Sequence, residues 1–443
     1  MKDNTTKTAW PGLSRRQFLA GMAAATGALA LGGCGDDDNA FAANPESVAL
    51  PMPETSGIEH VVVVMMENRS FDHFLGWLPG ADGKQAGLQF VDKQGNMQRT
   101  FPLAPNFQNC QFDDPDHSYQ GGRAQWNNGK DDGWLLAGTN DVFPIGYFTQ
   151  NDLSFYGGAV PAWTTFDRYF AAILGPTYPN RFYMHAAQTD RLTNTLKAST
   201  LPTIWDRLAD NGLTGTYYYS DLPVSVLWGN KYLGISETID HFFADAAAGT
   251  LPNVSYVDPR FAGEDQGTSN DDHPLADIRN GQAFVSQIYD AVTTSPNWPD
   301  TVLVINYDEW GGFFDHVTPP QGPLTDADMK TQNDGRLGFR VPCLVVSPLA
   351  RRGFVAHQQY DHTSVLAMIE WRWGLDPLST RDMTANNIAH VLDFGAPKNL
   401  TAPRFTVPQG PFGEVCTASA LAARPELAEM RARAEYHGFP LPR

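Results

Sequence analysis

Two acidic groups, each directly after a run of β-branched residues, are the part of this sequence best suited to chemistry. Glu67 and Asn68 follow a valine-rich run, and Asp308 and Glu309 follow a second apolar run far along the chain. Such runs are typical of strands buried on both faces of a parallel sheet, and ligands bind beyond the carboxyl ends of those strands. Three carboxylates and an amide oxygen meeting there would repel one another without a cation between them. The sequence therefore predicts a metal site.

All four candidate ligands are hard oxygen donors. They suit one divalent ion from the group calcium, magnesium, manganese, iron and zinc. In the alternative reading, Glu67 and Asp308 cap the turns that follow their strands. Because both pairs stand at the end of a buried run, we favour the metal. No CxxC or Cys/His finger spacing indicates a thiolate zinc site.

Thr177 is the candidate nucleophile. It lies in Gly175-Pro176-Thr177-Tyr178-Pro179, between a proline-containing turn and a predicted helix start. Threonine in such a place is a favoured N-cap. Alternatively, its alkoxide attacks a substrate while a cation and the helix N-terminal amides stabilise the charge. Position alone leaves the two interpretations open.

Three histidines lie in loops rich in Asp, Gly or Pro: His117 in DPDHSY, His273 in DDHP and His316 in GGFFDHV. Near a metal and a hydroxyl nucleophile, a histidine can bind phosphate oxygens, accept the nucleophile's proton or protonate the leaving oxygen. Taken singly, each is equally consistent with a solvated loop histidine. His362, just before a helix, is better placed to support a metal ligand from behind.

Two further features are assigned structural roles. Arg181 could contact phosphate or pair with a carboxylate, and we favour the pairing. Gly311 and Gly312 would permit a close approach of the backbone after the second pair of ligands.

Strand and helix patterns alternate along the chain and would position these residues. Strands are predicted at 58–66, 215–219, 302–308 and 341–347, helices at 181–188, 201–211, 281–293 and 364–373, helical spacing at 161–174, a loop-rich insertion at 80–158 and a polar loop at 251–281. This alternation predicts an α/β fold with a mostly parallel central sheet, helices on both faces and a long loop-rich insertion.

Residues 1–43 are predicted to lie outside the fold, and 44–443 to form a single catalytic domain. Ser14–Leu19 is a twin-arginine run, and the apolar stretch that follows is too short for a transmembrane helix. We therefore expect export by the twin-arginine pathway. Processing before Cys34 would leave a lipid-anchored periplasmic protein, whereas cleavage after Ala42 would release a secreted one. The spacing from Leu31 to Cys34 favours the anchor.

The net charge of the chain excludes some classes of binding partner. The formal net charge of −18 argues against binding to nucleic acid or docking on anionic membranes, but a local cation still allows an anionic substrate.

Outside the leader, Cys110, Cys343 and Cys416 allow at most one intramolecular disulfide. Cys343 lies in an apolar run and is expected to be a buried thiol, so Cys110 with Cys416 is the favoured pair in an oxidising compartment.

Four motifs closely resemble those of the bacterial phospholipase C and acid phosphatase family, a branch of the alkaline phosphatase-like superfamily. They are IEHVVVVMMENRSFDHFLG, GPTYPNR, YDEWGGFFDHV and YDHTSVLAMIEWRWGL, in the expected order between residues 58 and 375. The resemblance implies one metal held by Glu67, Asn68, Asp308 and Glu309, a transiently phosphorylated Thr177, and phosphate or leaving-group contacts from His117, His273 and His316.

This resemblance implies metal-dependent hydrolysis of phosphoric esters. We favour a phospholipase C-like diesterase acting on a phosphodiester such as phosphatidylcholine. The alternative is an exported acid phosphatase that acts on monoesters. The chain lacks the long C-terminal β extension of the large haemolytic members, so small phosphoesters are also possible substrates. The Cys or Ser of a sulfatase motif is absent. A periplasmic phosphate- or choline-binding lipoprotein is the non-enzymatic alternative.

Overall fold

The computed structural model describes residues 49–264, 266–416 and 424–442, and strands and helices alternate along them. The strands are β1 (His60–Met66), β2 (Gln89–Val91), β3 (Met97–Arg99), β4 (Phe101–Pro102), β5 (Gly146–Tyr147), β6 (Thr164–Phe166), β7 (Tyr169–Phe170), β8 (Gly215–Tyr219), β9 (Ser236–Thr238), β10 (Val254–Asp258), β11 (Thr301–Tyr307), β12 (Cys343–Val346), β13 (Phe354–Ala356) and β14 (Tyr360–Asp361). The α-helices are α1 (Phe71–Leu75), α2 (Tyr119–Trp126), α3 (Tyr156–Ala162), α4 (Thr177–Ala186), α5 (Ile204–Asp210), α6 (Ile239–Ala248), α7 (Ile278–Thr294), α8 (Asp326–Thr331), α9 (His362–Trp373), α10 (Thr380–Thr384) and α11 (Pro425–His437). None of these helices combines the length and the apolar character that a bilayer crossing requires.

Eight strands form the central sheet, in the order β13-β6-β12-β11-β1-β10-β8-β9. β1 lies between β10 and β11 and runs parallel to both. β12 is antiparallel to its two neighbours, β11 and β6. All seven residues of β11 and six of the seven in β1 are buried, so both faces of the sheet are covered. The predicted mostly parallel α/β fold is confirmed.

Most predicted elements are found within a few residues of their expected places. The strands at 58–66 and 302–308 are β1 and β11, and the strand at 215–219 is β8. The insertion at 80–158 contains loops, short helices and the small strands β2 to β5. The predicted twin-arginine signal and both cleavage positions, at Cys34 and Ala42, lie outside the described residues.

Three local predictions are wrong. The helical spacing at 161–174 belongs to β6 and β7, because Thr164 and Thr165 pair with neighbouring strands, and pairing outweighs a weak local pattern. The region 251–281 is not all loop, since β10 lies within it and pairs with β1. The helix expected from Arg181 begins four residues earlier, at Thr177. Pro179 fits there because amides in the first turn have no helical partner.

The cysteines behave as the sequence suggests. Cys110 and Cys416 form a disulfide, and Cys343 is a buried free thiol on β12. The disulfide joins the loop-rich insertion to the chain that follows the last strands of the sheet. It therefore ties the C-terminal part of the described chain to the region beside the candidate site.

Candidate active site

The two acidic motifs begin at the same edge of the sheet. Met66 ends β1 and is in register with Tyr307, which ends β11. The Asp308 amide donates to the Met66 carbonyl oxygen at 3.0 Å. Glu67, Asn68, Asp308 and Glu309 therefore leave adjacent parallel strands together, and all four are buried.

Asn68 and Glu309 contact each other directly. The Asn68 Nδ2 atom donates to Glu309 Oε1 at 2.7 Å, and the Gly311 amide donates to Glu309 Oε2 at 2.7 Å. Gly311 has a φ of +64°, and a Cβ atom there would lie 2.2 Å from the Asn68 carbonyl oxygen. Only glycine fits this contact without displacement. The predicted close approach of the backbone at Gly311 is therefore observed.

Arg181 links the acidic motifs to helix α4. Its guanidinium donates to Asp258, the last residue of β10, at 2.9 Å. It also lies 3.5 Å from Glu67 Oε1 and 3.5 Å from Asp308 Oδ2. The expectation that Arg181 pairs with carboxylates is confirmed.

Thr177 is the first residue of α4, and Pro176 occupies the N-cap position. The N-cap interpretation of Thr177 is therefore wrong. Its side chain is buried, and its Oγ1 atom has no hydrogen-bond partner. Arg181 lies four residues later, on the same face of the helix. Thr177 thus presents a free hydroxyl on the helix face that reaches Glu67 and Asp308.

His117 and His273 lie together beside Glu309, with their ring centroids 5.5 Å apart. The Nδ1 atom of His117 is 2.7 Å from the Pro115 carbonyl oxygen, and its Nε2 atom is 3.8 Å from Glu309 Oε1. Burial acts to lower the pKa of His117, but the charges of Glu309 and Asp114 outweigh it and raise that pKa to about 9. Burial lowers the pKa of His273, and the charges of nearby cations add to this.

His316 does not join this group. Its Nδ1 atom lies 2.5 Å from Asp72 Oδ2, and its Nε2 atom lies 3.0 Å from Asp82 Oδ1. Buried Asp72 and Asp315 need cationic partners, and His316 supplies one beside Arg340. The imidazole is therefore occupied in a separate ion-pair network, which explains why its place in the motif did not predict its contacts.

The acid cluster, which consists of Glu67, Asn68, Asp308 and Glu309, fits a divalent cation for two reasons. Asn68 Oδ1 and Asp308 Oδ2 are buried without hydrogen-bond partners, which is costly for polar atoms. Burial and the neighbouring acids also raise the pKa of Asp308, and burial raises that of Glu309 to about 7. A cation among these oxygens would relieve both costs, and the donor types suit a hard ion.

This cluster predicts how pH affects the metal-free protein. The folded protein holds the Glu309 proton to a pH of about 7, compared with an ordinary value near 4.5. The stability that this proton confers is therefore complete below the lower pKa and is lost as the pH rises through the higher one. We expect a loss of about 1.4 kcal/mol per pH unit for one such group.

Thermal unfolding of chelator-treated protein at several pH values between these limits measures the effect. The matched variant Glu309→Gln should show a shallower decline, because it has no carboxyl to titrate. An equal slope in both proteins would contradict the assignment of the decline to Glu309.

Two further contacts complete the surroundings. His362 Nε2 lies 2.7 Å from the Asp308 carbonyl oxygen, so His362 supports a candidate ligand from behind, as expected. A cavity of about 470 Å³ opens beside the site, and its lining includes His117, Pro176 and Asn194. Pro176, which lines this cavity, directly precedes Thr177 in the sequence. The cavity offers room for a substrate.

Sequence reasoning missed several charged residues around the cluster. They are Asp114, Asp258, Glu264, Asp271 and Arg424. Asp114 and Asp271 stand in the same short motifs as His117 and His273, which was an available signal. Asp258 was hidden because its strand was not predicted. Nothing in the local sequence distinguishes Arg424.

Comparison with known proteins places the resemblance on firm ground. The Phosphoesterase family matches residues 58–376. Non-specific phospholipase C6 of Arabidopsis thaliana is 31% identical over 421 residues, covering 85% of this chain and 76% of that protein. Phospholipase C B of Mycobacterium tuberculosis is 31% identical over 478 residues, covering 90% of this chain and 89% of that protein.

Similarity to solved structures is weaker. A protein in the alkaline phosphatase superfamily from Vibrio parahaemolyticus has a TM-score of 0.35 and 11% sequence identity, over 54% of this chain and 62% of that one. A similarity of this size supports no conclusion about chemistry. The family match and the sequence relatives carry the assignment instead.

Proposed function

The chain belongs to the Phosphoesterase family and is a phosphoric ester hydrolase, and on that premise we propose that it cleaves phosphodiesters as a phospholipase C does, through a phosphothreonine at Thr177. One observation carries the role of Thr177. Its buried hydroxyl has no partner, and it lies one helical turn from Arg181, which contacts Glu67 and Asp308. The names of the relatives favour a diester such as phosphatidylcholine over a monoester.

We assign one divalent cation to Glu67, Asn68, Asp308 and Glu309. The Asn68 and Asp308 side-chain oxygens that lack a hydrogen-bond partner support this assignment. When bound, such an ion would offset charge on the phosphoryl oxygens and favour ionisation of a nearby hydroxyl. The donor set fits calcium, magnesium, manganese, iron or zinc and does not choose among them.

In the first step, the Thr177 hydroxyl gives up its proton to solvent as Oγ1 attacks phosphorus, so a new P–O bond forms to threonine while the ester P–O bond to the alcohol breaks. The departing alkoxide needs a proton. His117 is suited to donate it from Nε2, because its raised pKa keeps the ring protonated near neutral pH. Its Nδ1–H is held by the Pro115 carbonyl oxygen, which fixes the orientation of the ring.

In the second step, water attacks the phosphothreonine, the P–O bond to Thr177 breaks, and the threonine oxygen takes up a proton from solvent. His273 is suited to accept the proton of this water, because its lowered pKa keeps the ring neutral. Two histidines whose surroundings move their pKa values in opposite directions form a natural acid and base pair. Neighbouring Asp114 lies within ion-pair distance of both rings, 3.7 Å from His117 and 3.9 Å from His273.

We also propose that the enzyme is exported. Support comes from the twin-arginine run at Ser14–Leu19 and the processing box that ends at Cys34. The disulfide between Cys110 and Cys416 suits an oxidising compartment. Residues 44–443 would then act as a single catalytic domain, carrying a lipid anchor if Cys34 is retained.

Comparison of two chromogenic substrates tests the diesterase proposal. We expect wild-type protein to hydrolyse para-nitrophenyl phosphorylcholine with a higher kcat/KM than para-nitrophenyl phosphate. The reverse preference would reject the diesterase and support an acid phosphatase. Absence of turnover on both substrates, in the presence of each candidate cation, would instead favour a binding protein.

A further inference from the structure

Arg424 reaches the acid cluster from outside the family-matched region, which ends at residue 376. Its Nη2 atom lies 3.0 Å from Glu67 Oε2. Its Nη1 atom hydrogen-bonds Glu264 and lies 3.9 Å from Asp271 Oδ2. Only 10% of the Arg424 side chain is exposed, and Glu67 is 2% exposed. This is a buried ion-pair network and not a surface contact.

The chain on both sides of Arg424 is anchored. Before it, Cys416 is joined to Cys110 by the disulfide, and the backbone of Glu414 exchanges two hydrogen bonds with the Gln108 side chain, at 2.7 and 2.8 Å. After it, helix α11 buries Met430 and Ala434. The chain is therefore held at Cys416 by a covalent bond and at α11 by packing, and both are independent of the ion pairs of Arg424.

Helix α11 is docked against the core of the protein by specific contacts. It packs on the short turn of 3-10 helix at 224–228, and the hydroxyl of Tyr219, at the end of β8, donates to the Pro440 carbonyl oxygen at 2.6 Å. Since β8 neighbours β10 in the central sheet, the helix is docked at the same sheet edge from which the acid cluster projects.

The two oxygens of Glu67 have different partners. Oε1 faces Arg181 at 3.5 Å, whereas Oε2 accepts the closer contact from Arg424. Carboxylates that bind metals are commonly oriented by hydrogen bonds from outer groups. The planar guanidinium is suited to hold two carboxylates at once in fixed directions, and Arg424 does so with Glu67 and Glu264.

We propose that Arg424 is a positioning residue of the catalytic centre, which the C-terminal segment, residues 424–442, delivers to Glu67 to orient its carboxylate for cation binding. This inference rests on the proposed function, in which Glu67 is a cation ligand. It adds to the catalytic centre a residue from outside the family-matched region. It also makes cation affinity depend on how α11 is docked against the rest of the chain.

Calorimetric titration of the demetallated, full-length protein with Mn²⁺ tests this inference. We expect Arg424→Ala to weaken Mn²⁺ affinity by about 10- to 100-fold, as loss of outer partners of metal ligands does. Arg424→Lys should recover part of the loss, because it restores the charge without the planar fork. The matched control is Arg433→Ala on helix α11, which follows Arg424 directly; Arg433 pairs with exposed Glu429 at 2.9 Å. It should bind Mn²⁺ as the wild type does.

Unchanged or tighter Mn²⁺ binding by Arg424→Ala would overturn the inference, since Arg424 would then be a competing cation or a bystander. Glu67→Gln separates the two levels of argument. If it also leaves Mn²⁺ binding intact, the proposed metal site fails. If it alone weakens binding, only the role of Arg424 fails. Should Arg424→Ala not fold, Arg424→Lys decides: weaker binding supports the inference and wild-type binding rejects it.

Discussion

Thr177→Ala is expected to lower kcat on para-nitrophenyl phosphorylcholine by at least about 10³-fold, as removal of a covalent nucleophile does. The fold should not suffer. Because Thr177 Oγ1 has no hydrogen-bond partner, its removal breaks no bond and leaves the melting temperature close to that of the wild type. Thr177→Ser keeps a hydroxyl and should retain substantial turnover. Steady-state kinetics and thermal unfolding on the same samples measure both effects.

Thr380→Ala is the matched control, because Thr380 is also the first residue of a helix, α10, but lies on the surface. It should leave kcat unchanged. Acid quenching during turnover, followed by mass spectrometry, should find phosphate on Thr177 in the wild type. Turnover of Thr177→Ala within about tenfold of the wild type would reject threonine as the nucleophile.

Removal of divalent cations is expected to lower turnover by about 10³-fold or more, because a cation at a phosphoryl centre contributes several kcal/mol and each 1.4 kcal/mol is tenfold. The cause is local. Without a cation, Asp308 and Glu309 remain buried with raised pKa values, so the cluster is partly protonated. The site then carries too little positive charge to stabilise a bound phosphate anion. Dialysis against a chelator, followed by kinetics, measures the loss.

Re-addition of each candidate cation should restore turnover and identify the preferred ion. Asp308→Asn provides the matched variant, since it keeps the shape of the side chain and removes one charge. It should need a higher cation concentration for half-maximal activity. Full turnover after exhaustive demetallation, verified by elemental analysis, would contradict the role assigned to the cluster.

The central part of the site could be predicted because it depends on short-range patterns. β1 and β11 are nearly continuous apolar runs, and their acids follow at once, so strand identity and parallel pairing placed Glu67 and Asp308 at one edge. Thr177 and His117 were found through their motifs. Such patterns record the local environment of a residue, and here that environment is the candidate site.

The remaining errors share a physical reason. β10 contains Ser255 and Asp258, whose polarity conceals a buried strand, and its place is decided by pairing with β1. His316 stands in a motif beside the candidate ligands, yet its contacts are set by Asp72, from a different part of the chain. Arg424 depends on contacts more distant still. Partners fixed by tertiary packing leave little trace in a local sequence window.

The central position of β1 also has a consequence for synthesis. Asn68 and Glu309 touch across a separation of 241 residues, so the first candidate ligands leave the ribosome long before their partners exist. Contacts this distant form late, after the entropy of closing a long loop has been overcome. Under the proposed function, a growing polypeptide can therefore assemble no cation-binding centre until most of its length has been made, and it is inactive until then.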